Sequence, residues 1–154
     1  MAPFTFDRRW RFAVGPEQLW TVLGRTDDFP RWWPWLEDYD SDGLHDGANA
    51  CFSVRPPLPY RLHLTVAVGH VEPWRCIEAA IGGDLEGPAR LELAAASGGS
   101  EARLTWSLEL RRPLLLATER LARPAMVWGH DRVVSAGVRQ FRRRALGPGG
   151  LLDD

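Results

Sequence analysis

Lysine is absent from this chain of 154 residues, whose 19 basic side chains are all arginine. Schiff-base chemistry on a lysine amine is therefore excluded; the bias itself reads as a coding preference of the source and not as function. Cysteine is scarce. Cys51 and Cys76 lie too far apart for a CxxC motif, and the N-terminus runs into Phe4-Thr5-Phe6-Asp7 without an apolar leader, which together fit a reducing cytoplasm. No apolar run approaches the roughly 20 residues that a membrane span needs, so a soluble or at most peripheral protein without stable membrane insertion is expected. An excess of charge is missing too: the formal net charge is -1 and the pI about 6.4. With no basic groove and no interleaved aromatics, a nucleic-acid partner is not expected. The chain has no GxSxG, phosphate-loop or GxGxxG motif, so it lacks the usual equipment of hydrolases and nucleotide enzymes, and no cofactor is expected.

Tryptophan, by contrast, is abundant: eight are present, three of them within Trp32-Trp33-Pro34-Trp35. Each indole buries a large area yet keeps one N–H that needs a partner. A cluster at a proline corner therefore suits the rim of an apolar hollow, or a loop stapled onto a sheet by its aromatics.

Phe4, Phe6, Trp10, Phe12 and Val14 share one parity against Thr5, Asp7, Arg9 and Arg11, the two-residue period of a half-buried strand. Gly15-Pro16-Glu17 opens a helix whose apolar stripe is Leu19, Trp20 and Leu23. A second short helix runs from a cap at Asp27 or Asp28 through Phe29 to Trp32 or Trp33, and Pro34 ends it. From Leu36 to Arg111 turn signals recur at Asp42-Gly43, Asp46-Gly47, Pro56-Pro57, Glu72-Pro73, Gly82-Gly83 and Ser97-Gly98-Gly99, dividing the segment into six strands of an antiparallel meander. The period then changes: from Ala125 to Ala145, Val127, His130, Val134, Val138 and Phe141 share one helical face and Arg132, Arg139 and Arg143 the other. Pro124 starts or kinks that helix, leaving Pro113 to Arg123 as a separate or bent helical piece.

The expected architecture is α+β: an antiparallel sheet of about seven strands curved around a long C-terminal helix, with two short helices after strand 1. Residues 1–146 form a single domain and 147–154 a flexible tail. A sheet of that width must twist and coil, so one straight helix leaves concave space beneath it, with a mouth where the Trp32 to Trp35 corner approaches the helix. The inward parity of the strands, the corner and the helix face give the cavity lining as Trp33, Trp35, Phe52, Tyr60, Leu62, Leu64, Val66, Ile77, Leu91, Leu104, Trp106, Leu108, Val127, Val134 and Val138.

The order of elements, with Gly15-Pro16-Glu17-Gln18-Leu19-Trp20, Phe29-Pro30-Arg31-Trp32, Val71-Glu72-Pro73-Trp74-Arg75, Gly83-Asp84-Leu85-Glu86-Gly87 and Trp128-Gly129-His130-Asp131, resembles the polyketide cyclase/dehydrase branch of the START-like (SRPBCC) superfamily from about Phe4 to Arg144. The resemblance implies a helix-grip fold around a deep apolar pocket. Members of that superfamily include lipid carriers, hormone receptors, aromatic polyketide aromatase/cyclases, quinone-binding proteins and chaperone cofactors, so fold alone does not select an activity.

Among polar residues His130 stands out, because it interrupts the apolar stripe of the last helix between Val127 and Val134. It suits a proton relay or a hydrogen bond to a ligand, or is a core histidine satisfied by its neighbours. His70 has the inward parity of its strand and is the second candidate catalytic residue; His63 has the outward parity and His45 lies in a turn. With Cys51 and Cys76 on the polar parity of their strands, no metal site is expected. Asp84 and Glu86 fall in a glycine-rich hairpin, where acids are usually solvated. Trp74, Trp106 and Trp128 read as packing residues, and Arg142-Arg143-Arg144 as cations suited to the negative end of a helix.

Three functions follow. The first is binding or carriage of an apolar small molecule: a polyketide, lipid, isoprenoid or aromatic metabolite. The second is a polyketide aromatase/cyclase or dehydrase that positions its substrate and moves protons through His130 or His70. The third is a protein-interaction module using an exposed Trp32 to Trp35 corner. Neither turnover nor oligomeric state is set by these patterns.

Overall fold

Alternation over Phe4–Phe12 produces the first strand, β1. In the computed structural model, which describes residues 4–54, 62–111 and 131–146, the chain then enters helix α1, Pro16–Leu23. Proline stands in its first turn, where the missing N–H has no helical partner to lose, and Glu17 faces the positive end of the dipole. A 3-10 turn, Thr26–Asp28, leads directly into α2, Phe29–Trp32. The expected aspartate cap is corrected here. Asp28 precedes α2 in a helical conformation and makes no side-chain capping bond, because a residue already wound into the 3-10 turn cannot adopt the extended geometry from which a cap reaches back.

The remaining strands are β2 (Leu36–Ser41), β3 (Asn49–Val54), β4 (Leu62–Glu72), β5 (Cys76–Gly83), β6 (Leu85–Ala96) and β7 (Gly99–Leu110). They form one seven-stranded sheet in the order β1-β7-β6-β5-β4-β3-β2, with every neighbouring pair antiparallel. β1 returns to pair with the last strand, from Phe4 opposite Leu108 to Phe12 opposite Ser100. The outward face carries ion pairs, across strands from Arg90 to Glu78 and two-pronged from Arg103 to Asp7, and along β6 from Arg90 to Glu92.

Curvature has a visible source in β6. Pro88, in an interior strand, has no N–H to donate, and Gly87 adopts φ +154 with the Ser107 carbonyl so close that a Cβ would overlap it. Regular pairing with β7 lapses between Glu86↔Glu109 and Ala89↔Trp106. A glycine–proline break of this kind bends a sheet instead of letting it run flat.

Residues 131–141 form helix α3, continued by a π-helical turn, Arg142–Leu146. The expected start of this helix at Ala125, the piece from Pro113 to Arg123 and the tail 147–154 lie outside the described residues. The arginines at its end do more than complement a dipole. Arg142 is buried, donates from Nη2 to the Arg11 carbonyl at 2.8 Å and lies over the Phe12 ring; Arg144 Nη1 donates to the Trp32 carbonyl at 3.0 Å. They bolt α3 to β1 and to α2.

The solid core is gathered at one end of the concave face. Phe12, Leu19, Val22, Trp32, Leu93, Ala102 and Phe141 pack together there, with Phe141 edge-on to both Phe12 and Trp32. α1 and α2 thus fill the part of the sheet beside β1, β6 and β7, and the rest of the concave face remains to be lined.

Candidate functional site

Beyond that core, the sheet, the α2–β2 corner and α3 surround a cavity of about 490 Å³, within the range that takes a drug-sized ligand. Three layers of the fold supply its wall. Strand residues Phe52, Val54, Leu62, Leu64, Val66 and Val68 come from one half of the sheet, and Ile81, Leu85, Leu91, Ala102, Leu104, Trp106 and Leu108 from the other. α3 contributes Val133, Val134, Gly137, Val138 and Phe141, while Trp33, Trp35 and Leu36 close the side between them. Among the described lining residues there is no Asp, Glu, Arg or His.

The tryptophan corner is joined to the helix by two hydrogen bonds. Trp33 Nε1–H donates to the Gly137 carbonyl and Trp35 Nε1–H to Gln140 Oε1, each at 2.7 Å. A close approach makes this possible: a Cβ on Gly137 would stand 3.3 Å from Trp35 Cζ2 and 3.6 Å from Trp33 Nε1. Trp32 is buried in the core, and Phe29 meets Trp32 at a tilt and Trp33 edge-on. The corner is therefore latched to the helix, with Trp33 and Trp35 forming part of the cavity wall.

Of the residues expected to line the cavity, Trp33, Trp35, Phe52, Leu62, Leu64, Val66, Leu91, Leu104, Trp106, Leu108, Val134 and Val138 surround it. Ile77 does not, although it has the parity of Ile81; it sits near the far end of β5, opposite Leu91 and Val71. Tyr60, Val127 and His130 lie outside the described residues. His70 is corrected: β4 shifts register between Val68 and His70, and the histidine is exposed, opposite Glu78. A bulge adds a residue to the strand and so breaks the parity that placed it inward.

His63 is exposed and its Nδ1 bonds Ser53 Oγ at 2.8 Å, while His45 lies in the β2–β3 connection. Asp84 is structural, its carboxylate accepting the His63 backbone N–H at 2.8 Å, and Glu86 pairs with Arg111. Cys51 is exposed, but Cys76, placed on a wet face by parity, is buried, and burial raises its thiol pKa. Among the described residues no three His, Cys, Asp or Glu side chains gather as metal ligands, and no helix is long and apolar enough to cross a membrane. Trp74 is also corrected, from packing to the surface: it is 52% exposed at the β4–β5 turn, with φ +69.

Sequence parity overlooked one polar feature of the wall. Thr26, Tyr39 and Ser41 all border the cavity, with the Thr26 and Ser41 hydroxyls near enough to the Tyr39 phenol to pull its pKa down. Burial raises the Tyr39 pKa above its ordinary 10.0, against the opposite pull of those two hydroxyls, so the phenol keeps its proton at neutral pH.

A seven-stranded antiparallel sheet gripping a C-terminal helix around an apolar cavity defines a helix-grip domain of α+β class. The chain belongs to the polyketide cyclase/dehydrase and lipid transport family, whose model matches residues 3–146. Solved structures share the fold at low identity. TTHA0849 from Thermus thermophilus superposes with a TM-score of 0.74 at 12% identity, over 94% of this chain and 97% of that one. The Zhui aromatase/cyclase from Streptomyces sp. R1128 gives 0.73 at 14% identity, over 94% and 98%. Ms6760 from Mycobacterium smegmatis gives 0.69 at 13%, over 89% and 87%. No curated protein matches the chain in sequence.

Proposed function

We propose that the protein binds and carries an apolar small molecule of the polyketide, lipid, isoprenoid or aromatic-metabolite kind within this cavity. The observation that carries the reading is the wall itself: about 490 Å³ whose described lining residues are almost all aliphatic or aromatic. Apolar surface of this kind is unfavourable against water and favourable against a ligand that fills it. The family description, which couples cyclases and dehydrases with lipid transport, supports the same class of ligand.

Native mass spectrometry and thermal melts with a panel of lipids, quinones and aromatic polyketides test this. A ligand at about 100 times its Kd should stabilise the fold by about 2.7 kcal/mol, a rise of roughly 5–10 °C for a chain of this length. No adduct and no shift across the panel would remove the proposal.

A second reading, an aromatase/cyclase or dehydrase, draws support from the likeness in fold to the Zhui enzyme. It needs proton transfer, and among the described lining residues Tyr39 is the ionisable one. His70 lies away from the wall, which leaves His130 as the histidine to test. Turnover of a poly-ketone that survives His130→Ala unchanged would exclude that role.

A further inference from the structure

The edge strand β2 determines which polar groups meet the ligand. Its pairing with β3 runs from Leu36↔Val54 and Glu37↔Ser53 to Asp40↔Cys51 and Ser41↔Ala50, with a register shift between Glu37 and Asp40. Two residues, Asp38 and Tyr39, thus stand across from Phe52 alone, and Asp38 takes up the extra length with φ +51. Aspartate is among the few side chains that tolerate that left-handed conformation.

The phase of the strand changes as a result. Strict alternation from the inward Leu36 would set Asp38 and Asp40 on the cavity face. With the bulge both aspartates are exposed, and Tyr39 and Ser41 border the cavity in their place. Two carboxylates are exchanged for two hydroxyls. Thr26, at the start of the 3-10 turn, completes the group, and Phe29 and Phe52 hold the Tyr39 ring at centroid distances of 5.9 and 6.5 Å.

From this geometry we infer that the ligand is uncharged and carries one hydrogen-bond acceptor, a ketone, quinone or similar oxygen, to which the Tyr39 hydroxyl donates, with Thr26 and Ser41 beside it in the wall. The inference rests on the cavity being the binding site. Tyr39 keeps its proton, so it can donate; a ligand carboxylate would meet no described cation in the wall and would lose its hydration without return. A single neutral hydrogen bond is gained at the expense of bonds to water, so it is a modest one and discriminates by about tenfold, not by thousands.

Three probes of similar size separate the outcomes: 2-acetylnaphthalene, which offers an acceptor; 2-isopropylnaphthalene, its hydrocarbon counterpart; and 2-naphthoate, which is charged. A ketone is harder to desolvate than a hydrocarbon, so absolute affinities do not compare directly and the change on substitution is the readout. By calorimetry, Tyr39→Phe should weaken the ketone about tenfold and leave the hydrocarbon within about twofold, which also shows that the variant is folded. Ser41→Ala should weaken the ketone less, in the same direction. Wild-type protein should bind 2-naphthoate at least about a hundredfold more weakly than the ketone. Equal losses for ketone and hydrocarbon, no loss for either, or naphthoate binding as tight as the ketone would each overturn this inference and leave the cavity as a binding site. Failure of all three probes to bind wild-type protein would overturn both.

Discussion

Replacing Gly137 by leucine should unlatch the tryptophan corner from α3. The glycine has no Cβ where Trp35 Cζ2 and Trp33 Nε1 approach to 3.3 and 3.6 Å. A single methyl can be absorbed by a slight shift of the indole edges, and alanine gains about 1 kcal/mol of helix propensity over glycine. Gly137→Ala is thus expected to be close to neutral. An isobutyl group cannot be absorbed in the same way. It must displace both rings, breaking the bonds from Trp33 to the Gly137 carbonyl and from Trp35 to Gln140, each worth about 1 kcal/mol, and it adds roughly 1–3 kcal/mol of overpacking. Set against the same gain in propensity, the net loss is about 2–4 kcal/mol, or on the order of 10 °C in Tm. Thermal unfolding followed by circular dichroism measures the loss, and acrylamide quenching of tryptophan emission reports whether the indoles have swung out. A Gly137→Leu protein that melts within about 2 °C of wild type with unchanged quenching would refute the latch. A Gly137→Ala protein as damaged as the leucine variant would instead indicate that the helix backbone, not the indoles, needs the glycine.

Gly87→Ala should cost about 3 kcal/mol or more, since φ +154 and the overlap with the Ser107 carbonyl act together; a urea midpoint equal to wild type would show that the sheet bends there without strain. Trp74→Gly should raise stability by about 1 kcal/mol, because glycine accepts φ +69 and the indole it replaces is mostly exposed; a fall in Tm would mean that the ring packs in a way its exposure conceals. The Tyr39 phenol, raised above 10.0 by burial, contributes stability that is complete below the unfolded pKa and is lost as pH rises through the higher folded value. Tyr39→Phe should accordingly flatten the decline in urea midpoint as pH rises above about 10, and an unaltered decline would place the titration elsewhere.

The strands were legible wherever alternation ran unbroken. Leu62 to Val68 and Ala102 to Leu108 followed the two-residue period onto the cavity face, and Val134, Val138 and Phe141 followed the helical period onto the facing side. His70 and Tyr39 escaped for one physical reason. Each lies just past a bulge, where one added residue reverses every later parity in the strand. A trace of the second bulge was present in Asp38 and Asp40, two acids that strict alternation would have pointed at an apolar sheet face. Gly137 carried no such trace, because close approach to a glycine is a property of two surfaces and not of one segment.

Local chemistry by itself therefore determined the class of this protein: hydrophobic periodicity, turn residues and a proline-led helix specify seven strands, two short helices and a gripping helix, since each signal acts within a few residues. Only the tertiary structure decided what the concave space contains. How the core at Phe12, Leu19, Trp32 and Phe141 stops short of the rest of the sheet, how two indoles close onto α3, and how a bulge turns carboxylates out and hydroxyls in all depend on contacts between segments far apart in the chain. Those contacts are set by packing and register, which no single stretch of residues encodes.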